Sequence, residues 1–430
     1  MADNIAVSLV MPVYNTEKYL CEALDSAVGQ TLRDIELICI DDGSTDASPA
    51  ILEEYASKDG RIRVHHQPNG GYGKAMNAGL ERARGKYIAV LEPDDFLDFH
   101  MLEDLYRVAE KHQLDFVKSD FAFVEGEPGN YQVTQARIYW KDSMYGKVLS
   151  HEEKLELFRG YLAYWTCLYR RDFIENRHIR FNETPGASYQ DTGFWFQTMA
   201  LAGRACLHDG CYYHYRMDNA ASSMLSKEKV YCISEEYDFI RRNLEDRGLL
   251  EEYWPQYVAF CFIGHRDAMH RIAGQYRKEF ILHIAEDFGK MKAAGKLDTS
   301  FMEQQDREML ERILENPGKF WKEMEDVPRY IHQQLAPYRE FCIYGAGTRA
   351  KKIYQYLSDE DKANFHGFLV TRKDRNQLLG QPIQALDDVK ASPDMGIIVG
   401  VTERYQQEIV DTLDKNDFKT AIILPEKDVP

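Results

Sequence analysis

Two acidic clusters stand out in the first hundred residues of the chain, Asp41-Asp42 and Glu92-Pro93-Asp94-Asp95. Each follows an apolar run, Ile35–Ile40 and Tyr87–Leu91, so each sits where a strand should end. Carboxylates gathered at one sheet edge repel each other. A hard divalent cation, Mg²⁺ or Mn²⁺, offsets that cost and takes its remaining oxygens from substrate phosphates. Solvation and capping are the competing use of the same residues: Asp95 or Asp98 for the next helix, Asp42 or Ser44 for a turn. A third feature lies far downstream. Tyr344-Gly345-Ala346-Gly347-Thr348-Arg349-Ala350 follows a strand and opens a helix, the setting of a dinucleotide-type phosphate loop. The acidic residue expected after the next strand is missing, because Phe368-Leu369-Val370 runs into Thr371-Arg372-Lys373.

The elements that must position these groups alternate. Ala6–Met11, Ile35–Ile40, Ile62–His65, Tyr87–Leu91 and Phe116–Phe121 read as strands. Glu17–Gly29, Ser48–Ser57, Lys74–Ala83 and His100–Lys111 read as helices between them. That order predicts an α/β fold with a mostly parallel sheet, covered on both faces, whose ligands sit beyond the carboxyl ends of the strands. The stretch 126–150 loses the pattern and is expected to be loop or short hairpins. Residues 155–171 read as helical or mixed. A long amphipathic block, 226–336, reads as helical, and from Pro337 a second, smaller α/β unit begins. The expected organisation is therefore 1–225, 226–336 and 337–430.

Composition narrows the classes. The 430 residues are 44% hydrophobic and 12% aromatic, enough to build large cores. A net charge of −17 repels nucleic acid and anionic lipid at long range, so neither is an expected partner. The eight cysteines form no C-x-x-C pair and read as reduced core thiols. No apolar stretch approaches the ~18 residues of a membrane span. The residues Met1–Ala6 lack the basic-then-apolar signature of a leader, and a cytoplasmic protein is expected.

Taken together and in order, several segments resemble the family 2 inverting glycosyltransferases, which have the GT-A fold. They are Val7-Ser8-Leu9-Val10-Met11-Pro12-Val13-Tyr14-Asn15, Gln30-Thr31, Ile40-Asp41-Asp42-Gly43-Ser44-Thr45-Asp46, Asn69-Gly70-Gly71-Tyr72-Gly73-Lys74 through Gly79, and Gly85-Lys86-Tyr87-Ile88 leading into Leu91-Glu92-Pro93-Asp94-Asp95. The resemblance covers residues 5 to about 225. It implies transfer of a sugar from a nucleotide-diphosphate donor, commonly a UDP-sugar, to an acceptor hydroxyl, in surface polysaccharide or glycoconjugate assembly.

It also implies roles. Pro12, Val13 and Tyr14 would line the base and ribose. Asp42 would accept a hydrogen bond from the base, with help from Asp41. Gly70, Gly71 and Gly73 would let backbone approach the donor, and Lys74 would face its phosphates at a helix start. Asp94 would bind the donor ribose and Asp95 the Mn²⁺ or Mg²⁺ ion. Many relatives carry Asp where this chain has Glu92, which leaves Glu92 a weaker candidate. In Tyr189-Gln190-Asp191-Thr192, Asp191 matches the general base, although capping of the following helix is its bland alternative. His214-Tyr215-Arg216 through Ser223 resembles the segment that closes over the donor: Arg216 for the diphosphate, His214 for the metal or as a structural residue of an aromatic run, Ser222 and Ser223 for phosphate oxygens or as helix caps. Trp165 or Trp195 would stack on acceptor sugar, with burial in the core as the alternative.

The rival readings are a sugar-modifying epimerase or oxidoreductase using nucleotide or NAD at the C-terminal loop, and a non-catalytic GT-A-like binding protein. The C-terminal unit is read as a small Rossmann-like module that could pair copies of the chain. A lipid-linked glycan acceptor would bring the protein to the inner membrane face.

Overall fold

A computed structural model describes residues 5–219, 229–373, 376–401 and 403–424, with backbone alone at 327, 403 and 404. The chain divides into two compact units, Met1–Glu311 and Arg312–Pro430.

In the first unit the strands are β1 (Val7–Val13), β2 (Ile35–Asp41), β3 (Ile62–His66), β4 (Tyr87–Val90), β5 (Phe96–Leu97), β6 (Phe116–Glu125), β7 (Gln132–Ala136), β8 (Cys167–Arg170) and β9 (Ala205–Arg216). They form one sheet in the order β3-β2-β1-β4-β8-β6-β9-β5, with β7 hung on β6. β3, β2, β1 and β4 are mutually parallel. Beyond β4 the sheet is mixed: β8 runs antiparallel to both β4 and β6, while β6 and β9 are parallel. Every residue of β1 and β2 is buried, which is why both read as mostly apolar runs instead of alternating ones. One buried carboxylate, Glu36 at the second position of β2, is satisfied by Ser8 Oγ at 2.6 Å, the Arg84 amide at 2.8 Å and the Arg84 and Arg63 guanidiniums. It lies at the amino end of the strands, so its charge is structural.

The covering helices are α1 (Leu20–Val28), α2 (Ser48–Lys58), α3 (Tyr72–Arg82), α4 (Met101–His112), α5 (His151–Leu157), α6 (Arg171–Asn176) and α7 (Gln190–Leu201). In α1, Leu20, Ala23, Leu24 and Ala27 form the buried stripe that the spacing predicts. After β9 come α8 (Cys232–Asp246), α9 (Leu250–Arg271), α10 (Gly274–Ala293) and α11 (Gln304–Glu315). Among the described residues no helix is long and apolar enough to cross a membrane.

The second unit holds α12 (Pro317–Leu335), β10 (Glu340–Tyr344), α13 (Thr348–Tyr356), α14 (Asp359–Ala363), β11 (Phe365–Val370), β12 (Gln377–Leu378), β13 (Gln381–Ala385), β14 (Met395–Val399), α15 (Glu403–Lys415) and β15 (Ala421–Ile422). Its sheet runs β12-β13-β11-β10-β14-β15, parallel except for the β12–β13 hairpin. The 345–347 loop opens α13 from the end of β10, the central strand. Gly345 there has φ 115°, a conformation that favours glycine.

Candidate active site

The parallel half of the sheet reverses direction of winding between β1 and β4, and the crevice beyond their carboxyl ends is where such sheets bind ligands. Val13 and Asp41 are register partners at that edge. Pro12 and Val13 are buried in β1; Tyr14, just past the strand, exposes half its surface.

Asp41 and Asp42 follow the same strand but serve different neighbours. Asp41 accepts from the Ser44 amide at 2.9 Å and pairs with His66 Nδ1 at 2.7 Å. Asp42 accepts from Gln67 Nε2 at 2.7 Å and from the Gly70 and Gly71 amides, each at 2.9 Å. The carboxylate thus holds the glycine loop in place. That loop needs glycine for reasons inside the chain. Gly71 has φ 90°, and a Cβ at Gly73 would stand 1.9 Å from the Asn182 carbonyl oxygen. The close backbone partner of Gly73 is therefore the 182–186 segment. Lys74, exposed in the first turn of α3, lies back over Gly70.

After β4, three carboxylates are held by aromatic hydroxyls and by β9. Glu92 accepts from Tyr72 Oη at 2.5 Å and from Tyr164 Oη, and its amide donates to Tyr213 Oη at 3.0 Å. Burial pushes the Glu92 carboxyl up to about 7 against the lowering effect of the two hydroxyls. Asp95, 2% exposed, accepts from the Arg216 amide at 2.8 Å and from Tyr213 Oη at 2.9 Å. Burial first, then the Asp94 charge, raises its proton affinity well above the carboxylate range. Asp94 accepts from Asn219 Nδ2 at 2.8 Å.

Asp191 lies in the first turn of α7, and burial raises its proton affinity while Arg271 opposes that rise. Its field reaches the same groups as the other carboxylates. Tyr215, in β9, is pushed up by burial and by the charges of Asp95, Asp94, Asp191 and Glu92 together. Carboxylates from two distant stretches thus act on one hydroxyl. The Tyr215 ring is itself stacked on Trp165, 5.3 Å between centroids and 13° between planes.

His214 and Arg216 stand on the other face of β9, because side chains alternate along a strand. His214 stacks on Phe96 at 4.5 Å and 4°, and its buried Nδ1 has no partner. The carboxylates whose fields reach it are Asp98 and Glu22. The structure therefore does not gather His214 with Asp95. Nor does it leave the Arg216 fork open for a diphosphate. Its Nε donates to the Asp94 carbonyl at 2.9 Å and its NH2 to Glu22 at 2.5 Å and Tyr131 Oη at 3.0 Å. Arg216 ties β9 to the acidic loop instead. Trp195 is 1% exposed under the Lys118 ammonium, so it belongs to the core. Ala220, Ala221, Ser222 and Ser223 lie outside the described residues.

Sequence reasoning missed the tyrosines. Tyr72 sits inside the Gly-Gly-Tyr-Gly-Lys segment, and Tyr213 and Tyr215 share one face of β9 at a spacing of two, a signal that needed the strand to be recognised first. Asp94 and Asp95 offer hard oxygens suited to a cation that completes its shell with phosphate and water. The cost of burying Asp95 as an anion fits a cationic neighbour. Among the described residues no three His, Cys, Asp or Glu side chains gather as a protein-only metal cage.

A family model described as glycosyl transferase family 2 matches residues 8–177. The putative glycosyltransferase EpsH of Bacillus subtilis is 33% identical over 269 residues, 60% of this chain and 74% of that protein. The uncharacterized glycosyltransferase EpsJ of the same organism is 37% identical over 213 residues, 49% of this chain and 60% of EpsJ. The glycosyltransferase GlyG of Streptococcus pneumoniae is 39% identical over 126 residues, 29% of this chain and 42% of GlyG. Among solved structures, S. aureus TarS 1-349 in complex with UDP-GlcNAc overlays with a TM-score of 0.44 at 19% identity, covering 68% of this chain and 89% of that one.

Proposed function

The chain belongs to glycosyl transferase family 2, with the family's GT-A type fold, and from that premise we propose that it moves a sugar from a UDP-sugar to an acceptor hydroxyl with inversion at C1. The observation that carries this reading is the buried network after β4, in which Tyr72 and Tyr164 hold Glu92 while Tyr213 and the Arg216 amide hold Asp95, with Asp191 near enough for its charge to act on Tyr215 beside them.

In this reading the donor enters the crevice beyond β1, β2 and β4. Tyr14 offers its exposed ring to the base. Asp42, with three of its roughly four acceptor positions already used by the glycine loop, offers the remaining one to a base N–H. Asp41, paired with His66, keeps that strand end in place. The diphosphate lies near Lys74 and the start of α3, where the ammonium and the helix N-terminus both favour an anion. Asp94 takes the ribose, and Asp95 would hold Mn²⁺ or Mg²⁺, which supplies positive charge for the departing diphosphate. Asp191 stands on the acceptor side as the base that takes the hydroxyl proton during attack on C1. Burial brings its proton affinity closer to neutral pH, where a base is most effective. Trp165, buried against Phe121, Tyr213 and Tyr215, belongs to the core like Trp195 and backs the cluster instead of stacking on acceptor sugar.

The acceptor class we propose is a growing glycan or a lipid-linked glycan of the cell surface, met at the inner membrane face by an otherwise cytoplasmic protein. Names among the relatives support that setting, including the minor teichoic acid biosynthesis protein GgaB of B. subtilis. The functional divisions we propose remain 1–225 for transfer, 226–336 for the helical region and 337–430 for a Rossmann-like module. The test is Asp191→Asn: UDP-sugar binding should persist while transfer falls by a factor of ~10²–10⁴, the contribution of a general base. Transfer at the wild-type rate would sink the mechanism.

A further inference from the structure

The helices that follow β9 lie outside the family-matched stretch, yet they build the surroundings of Asp191. Lys229 Nζ donates to the Ala187 carbonyl oxygen in the loop before α7. Asn182 Nδ2 donates to Glu236 Oε2, from α8, at 2.9 Å. Glu236 is 1% exposed. Its other oxygen makes no hydrogen bond and is pressed against Gly193, in the first turn of α7, where a Cβ would stand 2.0 Å away. Gly193 is therefore small because a carboxyl group is lodged against the helix that carries Asp191. From the end of α9, the Arg271 guanidinium lies over the ring of Tyr189 at 5.3 Å. Tyr189 is the left-handed residue, φ 64°, immediately before α7.

We propose that Glu236 and Arg271 are positioning residues for Asp191, so that the helical region completes the site that activates the acceptor. Resting on the assignment of Asp191 as base, this gives the region after β9 a part in catalysis. The two groups act in opposite senses. Arg271, seated over Tyr189 two residues before Asp191, adds a positive charge that favours the ionised form of Asp191, alongside the Thr192 and Asp191 backbone hydrogen bonds at the helix start. Glu236, kept protonated by burial up to about 8, packs against the first turn of α7 as a neutral group. Its ionisation would set a second anion against Asp191. The remaining titratable groups whose fields couple to Asp191 are Tyr72 from α3, Glu92 after β4, Tyr215 from β9 and Tyr189 beside it. All of these stay neutral through the range in which Asp191 titrates except Glu92, which is common to every variant below.

The test reads Asp191 directly and needs no substrate. Full-length protein labelled with ¹³Cγ-aspartate is titrated by NMR, and the Asp191 signal is identified by its loss in Asp191→Asn. Arg271→Gln should raise the Asp191 midpoint, the direction expected on removing an opposite charge. Arg271→Lys should restore most of the shift. Glu236→Gln should leave the midpoint near wild type and abolish a second inflection expected in the wild-type Asp191 signal near pH 8. An Asp191 titration curve identical to wild type in both Arg271→Gln and Glu236→Gln overturns the proposal. A transferring Asp191→Asn protein, tested by UDP release from UDP-glucose, UDP-galactose and UDP-N-acetylglucosamine, would instead remove the base assignment. The two failures are therefore separable.

Discussion

The hydroxyl of Tyr213 is the joint between β9 and the acidic loop, and removing it alone is informative. In Tyr213→Phe the ring keeps its place against Trp165, 4.1 Å away. Two buried groups lose their partner. The Glu92 amide loses its acceptor at 3.0 Å, and Asp95 Oδ2 loses its donor at 2.9 Å. Each unsatisfied buried group costs about 1–3 kcal/mol, so the first unit should lose about 3 kcal/mol after partial relaxation. At about 2 °C per kcal/mol for a unit of this size, Tm should drop by about 6 °C. The same hydrogen bond holds the Asp95 proton affinity down, so its loss pushes that carboxyl further up. Divalent-cation-dependent binding of UDP should weaken in parallel. Differential scanning calorimetry with and without Mn²⁺ and UDP reads both effects. A Tm within ~1 °C of wild type, with unchanged stabilisation by UDP, would show that Tyr213 does not carry the loop.

Two other substitutions probe the same construction. Burial holds the Glu92 carboxyl near 7 in the folded chain, above its value of about 4.3 when unfolded, so the native state binds the extra proton between those limits and stability falls as pH rises through them. Glu92→Gln should remove a loss of about 3 kcal/mol across that window, read from urea midpoints at pH about 5 and about 8. A slope equal to wild type would refute the shift. Gly73→Ala drives a methyl into the Asn182 backbone, 1.9 Å from its oxygen, and should cost about 3 kcal/mol or prevent accumulation of folded protein. Gly274→Ala, with nothing within 4 Å, is the control and should stay within about 0.5 kcal/mol of wild type.

Much of the half proposed to hold the donor is legible because it is locally encoded. β1, β2 and β4 are mostly apolar runs, and the acidic clusters stand at the ends of β2 and β4, so strand and chemistry are read from one stretch of sequence. The other half is encoded by pairing between distant strands. β8 has four residues and was hidden in a stretch that read as helical or mixed, yet it sits between β4 and β6. β9 pairs in parallel with β6, Phe116 with Ala205, across nearly ninety residues, and its strand character settles which face each aromatic takes. Without β9, Arg216 and His214 read as neighbours of the diphosphate and metal. With it, they fall on the face away from Tyr213 and Tyr215. The glycines at 71 and 73 were read as room for a ligand, but the close approach they permit is to the chain's own 182–186 segment. Asp191 is proposed from its short motif, whereas the contacts of Glu236 and Arg271 with the start of α7 have no local signal, because nothing in the sequence ties α8 and α9 to that helix.

The most direct measurement of the central claim is a crystal structure of the protein with Mn²⁺ and an unhydrolysable UDP-sugar. The account predicts the uracil beside Tyr14 and Asp42, the diphosphate between Lys74 and the Asp94–Asp95 loop, and the Asp191 carboxylate on the opposite side of C1 from the leaving phosphate. A nucleotide bound elsewhere, or Asp191 turned away from C1, would contradict it.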